Sequence, residues 1–301
     1  MSNANPISVG NPKKETWYGI LSKSLARGLA SKYNTTMKRA LGNLESQFFA
    51  YAQMRNLQEV RSGDLVHSIL RLNADQERKL LSRLAQGGLI ARVRQGLYLV
   101  PPQLPLGGVW TPDEVTTLNA LMKDQKGRYQ ICGPNAFNRY GFDEQIPNRL
   151  YAYNNRISGE RKIGMVQLTL IKVADKRLGE TEVVKTPSGE KAVYSSRARS
   201  LLDAVYDWSR FNGVPRAYEW IRNELAEKRV TAAELVKVTL RYGDTGTVRR
   251  MGALLEHEGV KKSLLQQLEL SLKPTTSLIP WIPSRPKRGT VNRRWGVVFN
   301  K

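Results

Sequence analysis

Residues 73–100 read NADQERKLLSRLAQGGLIARVRQGLYLV, and the fold of the N-terminal half turns on them. Asn73 is a good N-cap for a helix over Ala74–Gln86, with Glu77 in its first turn. Gly87-Gly88 stops that helix. Two short strands follow, over residues 89–94 and 97–100, joined by Gln95-Gly96. Gly96 suits the positive φ of a tight hairpin turn. Pro101-Pro102 ends the unit.

Working upstream, Phe48, Phe49, Ala52 and Met54 predict a first helix that ends before Leu57. Ser62 is a suitable N-cap for a second helix over residues 63–70, burying Leu65, Val66 and Ile69. Leu72 and Asn73 make the turn into the third. Three helices followed by a two-stranded hairpin is the order of a winged helix-turn-helix, expected over residues 46–102.

Helical geometry then sorts the third helix into faces. At 100° per residue Glu77, Leu80, Leu81 and Leu84 fall on one side, and the leucines must face the core. The opposite side carries Asp75, Arg78, Lys79, Ser82, Arg83 and Gln86, and Asn73 and Gln76 at the helix start join all of these but Gln86 as candidate DNA contacts. A DNA major groove accepts such a helix, and Arg or Lys can hydrogen-bond guanine O6 and N7 there. Arg92, Arg94 and Gln95 at the hairpin tip are placed to reach phosphate or the minor groove. The competing reading is a winged helix used for protein contact, its polar face merely solvated.

The 301 residues hold 48 Lys+Arg against 26 Asp+Glu, a formal charge of +22. Such a surplus points to a polyanion, most often nucleic acid. Residues 1–45 are net +5, 46–101 net +4, 102–272 net +6 and 273–301 net +7, so charge density peaks at the two ends. Lys13, Lys14, Lys38 and Arg39 near the start, and Arg285, Lys287, Arg288, Arg293 and Arg294 near the end, are therefore candidate secondary nucleic-acid contacts. Trp281 beside the second group adds a stacking surface. The alternative for both ends is helices or an extended arm strapped over the body, with charges in water. Residues 1–45 read as a basic extension with helical spacing from Trp17 to Leu44.

The same inventory closes off several classes. One cysteine, Cys132, leaves no intramolecular disulfide and no Cys-based zinc site. His67 and His257 are too few for a His-rich metal centre. No 18-residue apolar run and no apolar leader stand in the sequence, so a cytoplasmic chain without membrane contact is expected. Gly243 to Gly246 is a loop at a helix start, but no Gly-Lys-Ser/Thr follows, which argues against a nucleotide cradle. No catalytic constellation emerges, and neither enzymatic activity, metal nor cofactor is expected.

The body from 103 onward reads as mixed α/β. Residues 149–154 and 165–173 are strand-like. Residues 194–205 hold Leu201, Leu202 and Val205 on one helical face, with Arg199 and Asp203 spaced for an i,i+4 pair. Residues 215–227, 231–241 and 247–258 have helical spacing, with Thr231 and Thr247 as caps, and Arg249-Arg250 in a first turn. The tail from 273 is basic and Pro-interleaved, and Trp295 is suited to plugging the core.

These residues resemble the AbiEi antitoxins. Residues 80–98, from Leu80 through Gly87-Gly88 to Tyr98, look like the family's third helix running into its wing. The run Ile131 to Gly141, Gln145-Ile146-Pro147, the Ser-Ser-Arg-Ala-Arg-Ser-Leu-Leu-Asp segment at 195–203, and Asn292 to Asn300 look like further family segments. The resemblance covers about residues 46–301; the first 45 lie outside it. It implies an α+β protein, an N-terminal winged helix-turn-helix followed by a mixed α/β antitoxin domain. It also implies a bacterial repressor that binds inverted repeats in double-stranded operator DNA upstream of its own operon. Its functional partner would be an AbiEii-like nucleotidyltransferase toxin of a type IV system linked to phage defence, with no stable complex required. Two other readings stay open: a protein-interaction module gripping the toxin directly, and an RNA- or tRNA-binding protein that protects the toxin's substrate.

Overall fold

The computed structural model describes residues 41–66, 68, 70–104 and 109–300. The two basic helices expected over residues 17–44 lie outside the described residues up to residue 40, as do the candidate contacts Lys13, Lys14, Lys38 and Arg39. So do His67 and Ile69. The fold is α+β.

Helix α1 (Asn43–Met54) turns Phe48, Phe49 and Ala52 inward, and Glu45 accepts the Gly42 N–H at its start. Strand β1 (Glu59–Arg61) follows, then α2 (Ala74–Gln86), β2 (Ala91–Arg94) and β3 (Leu97–Leu99). The three strands form an antiparallel sheet in the order β1-β3-β2. Phe48, Phe49, Leu80, Leu81, Leu84, Ile90 and Tyr98 share one core between helices and sheet.

One expectation here fails. The described residues between 62 and 70 form no α-helix, but a succession of turns closed by i to i−3 bonds. Among them are Asp64 N–H to Arg61 C=O and Val66 N–H to Gly63 C=O. Two features override helix propensity. Gly63 sits at φ +101°, outside helical space. The Glu77 carboxylate of α2 accepts the Gly63 and Leu65 N–H groups at 2.8 and 2.9 Å, fixing them as a turn. Asp64, rather than Ser62, supplies the local side-chain bond, accepting the Arg61 N–H at 2.7 Å.

Beyond Trp110, α3 (Glu114–Asp124) is capped by Asp113, which accepts from the Val115 and Thr116 N–H groups. A mixed six-stranded sheet follows: β4 (Tyr129–Ile131), β5 (Leu150–Asn154), β6 (Gly159–Ile163), β7 (Val166–Lys172), β8 (Thr181–Lys185) and β9 (Lys191–Ser195). The spatial order is β6-β7-β5-β4-β9-β8. β5 and β7 are the two strands expected from sequence. Short helix α4 (Pro134–Arg139) starts with Pro at its first turn behind Gly133 at φ +58°.

Alternation along the strands gives the sheet two covered faces. Leu150, Ala152, Leu168 and Leu170 pack with α3 residues Leu118 and Leu121 and with the hairpin residues Ala91, Val93, Leu97 and Leu99. Tyr153 and Ile171 face the other way, onto the helical layer. That layer holds α5 (Arg197–Tyr206), α6 (Trp208–Phe211), α7 (Arg216–Ala226), α8 (Ala232–Tyr242), α9 (Thr245–His257) and α10 (Lys262–Leu270). Leu201, Leu202 and Val205 are fully buried, as their shared face requires. Ser196 caps α5, Thr231 caps α8, and Asp244 takes the role expected of Thr247 by accepting the Thr247 N–H at 2.7 Å.

The tail is not a strap of extended chain. β10 (Ile279–Pro280), β11 (Thr290–Asn292) and β12 (Val297–Phe299) form a small mixed sheet ordered β10-β12-β11. Trp295 is buried against α9, where a Cβ on Gly252 would lie 2.3 Å from the indole ring.

Candidate nucleic-acid interface

Helix α2 has its inner side fully committed. Asn73 accepts the Gln76 N–H at 2.8 Å, and Gln76 accepts the Asn73 N–H at 3.0 Å, a reciprocal capping box. Both residues therefore build the helix start and point it. Leu80, Leu81 and Leu84 are in the core, and Glu77 holds the turn beneath. What remains outside is Asp75, Arg78, Lys79 and Arg83, all exposed, with Ser82 half-buried among them.

The outer face is net positive. Arg78 reaches Asp75 at 2.9 Å, but both side chains are about three-quarters exposed, at 75% and 73%. Such a pair is worth little and yields readily to a stronger partner. Arg83 stands 3.9 Å from Glu45, whose carboxylate is turned inward onto the start of α1. Leu44, Gln76, Arg78, Lys79, Ser82 and Arg83 line a shallow cleft between the two helices. The cations of α2 thus stand over a rim rather than inside a closed pocket.

The hairpin behaves differently from the expectation of a free tip. Arg94 donates to Asp124 through Nε at 2.5 Å and Nη2 at 2.7 Å, and Arg61 reaches the same carboxylate at 2.8 Å. The hydrogen bond from Arg94, reinforced by that from Arg61, holds the Asp124 carboxyl well below the usual carboxylate range. The turn is tied a second time by Ser62 N–H to Gly96 C=O at 3.0 Å. Arg94 is therefore a clamp to the end of α3. Arg92 and Gln95 stay exposed.

At the other end of the chain, Arg285, Lys287, Arg288 and Arg293 are exposed. Arg294 is not available in the same way: it bridges Glu256 at 2.7 Å and Glu269 at 2.8 Å, and these bonds raise its pKa. Trp281 stacks on Tyr218 with centroids 3.8 Å apart and packs edge-on against Phe299, so its rings serve the body. Arg249 donates to the carbonyls of Trp295, Ser277 and Gly296, and Arg250 to that of Pro280. The loop expected at 243–246 is shorter, because Thr245 and Gly246 already belong to α9, and Arg249 and Arg250 are both engaged by these carbonyls.

Sequence reasoning missed Asp124 and β1. Asp124 sits 30 residues from Arg94 and 63 from Arg61 and carries no local signal. β1 is a three-residue strand whose only cue is Val60 between Glu59 and Arg61. Among the described residues no group of three or more His, Cys, Asp or Glu is placed to hold a metal ion. None of the described helices is long and apolar enough to cross a membrane.

A family model described as a family of unknown function, DUF6088, matches residues 56–186. No curated protein matches the sequence. Among solved structures, the chain is similar to the crystal structure of the Rv2827c protein from Mycobacterium tuberculosis. The TM-score is 0.55 at 15% sequence identity, covering 86% of this chain and 92% of that one. At that identity the likeness is one of fold, and it extends over both the N-terminal unit and the α+β body.

Proposed function

We propose that this chain is a DNA-binding regulator in which residues 43–102 act as a winged helix-turn-helix and α2 enters the major groove. A run of turns stands where the second helix is usual. One observation carries the reading. Helix α2 is fixed by its cap, its leucines and Glu77, while Arg78, Lys79 and Arg83 are exposed on its outer side and Arg92 is exposed on β2. A helix held that firmly and charged on one side suits base-edge contact, where position decides discrimination. Arg94 falls to a structural role in this scheme.

With the AbiEi resemblance, the proposal extends to a cytoplasmic antitoxin of a type IV system. It would repress its own operon and oppose a nucleotidyltransferase toxin without any catalysis of its own. The test is an electrophoretic shift with the DNA upstream of the gene. Replacing Arg78, Lys79 and Arg83 together by Ala should abolish the specific shift and leave the melting curve unchanged. Undiminished affinity in the triple variant would sink the reading.

A further inference from the structure

The link from β10 to β11 carries Arg285, Lys287 and Arg288, all exposed, in the segment Ser-Arg-Pro-Lys-Arg-Gly at 284–289. Its backbone is held from behind by one residue. Asn300 is buried at 2% exposure. Its Oδ1 accepts the Ile282 N–H at 2.8 Å. Its Nδ2 donates to the carbonyls of Ile282, Arg285 and Pro286 at 3.1, 3.1 and 2.9 Å. A second constraint lies at Gly289, where a Cβ would stand 2.0 Å from the Phe299 carbonyl oxygen. The loop is thus pressed onto the end of β12 and tied there.

The cations on it are unspent. Among the described residues, no carboxylate lies within salt-bridge distance of Arg285, Lys287, Arg288 or the nearby Arg293, whereas the adjacent Arg294 has two. The loop belongs to the sheet that packs on α9, in the helical layer. The hairpin beside α2 packs on the opposite face of the six-stranded sheet. We infer that the 284–289 loop is a second nucleic-acid site, which binds phosphodiester backbone independently of α2 and without regard to base sequence. A fixed loop lowers the ordering cost of each contact, and two guanidinium groups match phosphate oxygens bidentately. An acidic protein partner is less well served, because the apolar neighbours Trp281 and Ile282 are turned inward and the loop offers no anchor to bury.

The test uses the full chain and fluorescence anisotropy with a labelled 20-base-pair duplex of scrambled sequence, across a salt series. Replacing Arg285, Lys287 and Arg288 by Ala should make the log–log salt slope shallower by about 3, at about 0.9 per phosphate contact. Any preference for upstream DNA over the scrambled duplex should be unchanged. The α2 triple variant should lose that preference and keep the loop's share of scrambled binding. If the α2 reading fails, the preference is absent from the wild type, yet the loop's effect on slope remains readable. Asn300→Ala, checked for an intact fold by circular dichroism, should weaken scrambled binding about tenfold with the slope retained, since the cations remain but lose their fixed positions. A loop variant with wild-type affinity and slope overturns the inference. So does poly-glutamate binding that depends on the loop while duplex binding does not.

Discussion

Arg94 at the end of β2 grips Asp124 at the end of α3 with two parallel hydrogen bonds, and Arg61 closes the same carboxylate from β1. This small cluster joins the hairpin to the body. Its carboxylate is 3% exposed and cannot be left without its partners cheaply.

Asp124→Asn should therefore destabilise the protein at neutral pH and loosen the hairpin. The pH dependence follows from the lowered pKa of Asp124 in the folded state. The contribution is complete above the unfolded carboxylate pKa of about 4, and is lost as pH falls through the lower folded value. Urea melts of both proteins should thus differ most at pH 7 and hold that difference down to about pH 4. The curves should converge only below it. A gap that closes between pH 7 and 5 would assign the stabilisation to another group.

Glu77 places a buried carboxylate against two N–H groups of the turn before α2. Glu77→Ala should cost about 2–3 kcal/mol, the range expected when charge-assisted bonds to one buried and one part-buried N–H group are lost. Hydrogen exchange should rise first at Gly63 and Leu65. Chemical denaturation and exchange on the same variant separate the local effect from the global one.

Arg199 and Asp203 meet at 2.9 Å with both side chains fully buried. Arg199 also donates to the Arg177 carbonyl at 2.9 Å and lies over the Tyr242 ring. Burial works against the guanidinium's charge, and Asp203 beside it outweighs that cost and raises its pKa. Removing either partner should cost about 3–5 kcal/mol, far above the few tenths of an exposed helical pair. A paired Arg199→Met, Asp203→Leu replacement should cost less than the sum of the two single changes. A double-mutant cycle from denaturant melts checks this, and strict additivity would refute it.

Gly252 is the seat of Trp295. Gly252→Ala should cost about 1–3 kcal/mol through overpacking. Trp295→Leu in the same chain should recover part of the loss. Thermal melts of the single and double variants decide it.

Most of what local chemistry dictates was legible. The cap at Asn73, the leucine face of α2, the glycine turn at 96 and the strands near 150 and 168 follow from residues acting on near neighbours. Apart from the positive φ of Gly63, the failures share a cause. The turns at Gly63 and Leu65 are held by the Glu77 carboxylate of α2, Arg94 by an aspartate thirty residues away, and Arg294 by two glutamates on α9 and α10. In each case the partner comes through a contact distant in sequence, which periodicity does not report.

The apolar side of the β2–β3 hairpin has a last consequence. Ala91, Val93, Leu97 and Leu99 are sealed by α3 and the central sheet rather than by the helices on their own side of Pro102. Severed there, the N-terminal piece would bare a greasy flank and lose the counter-ion of two arginines. The N-terminal unit and the body are thus not interchangeable modules. A swap between relatives would have to carry α3 and the facing strands along with α2 and the hairpin.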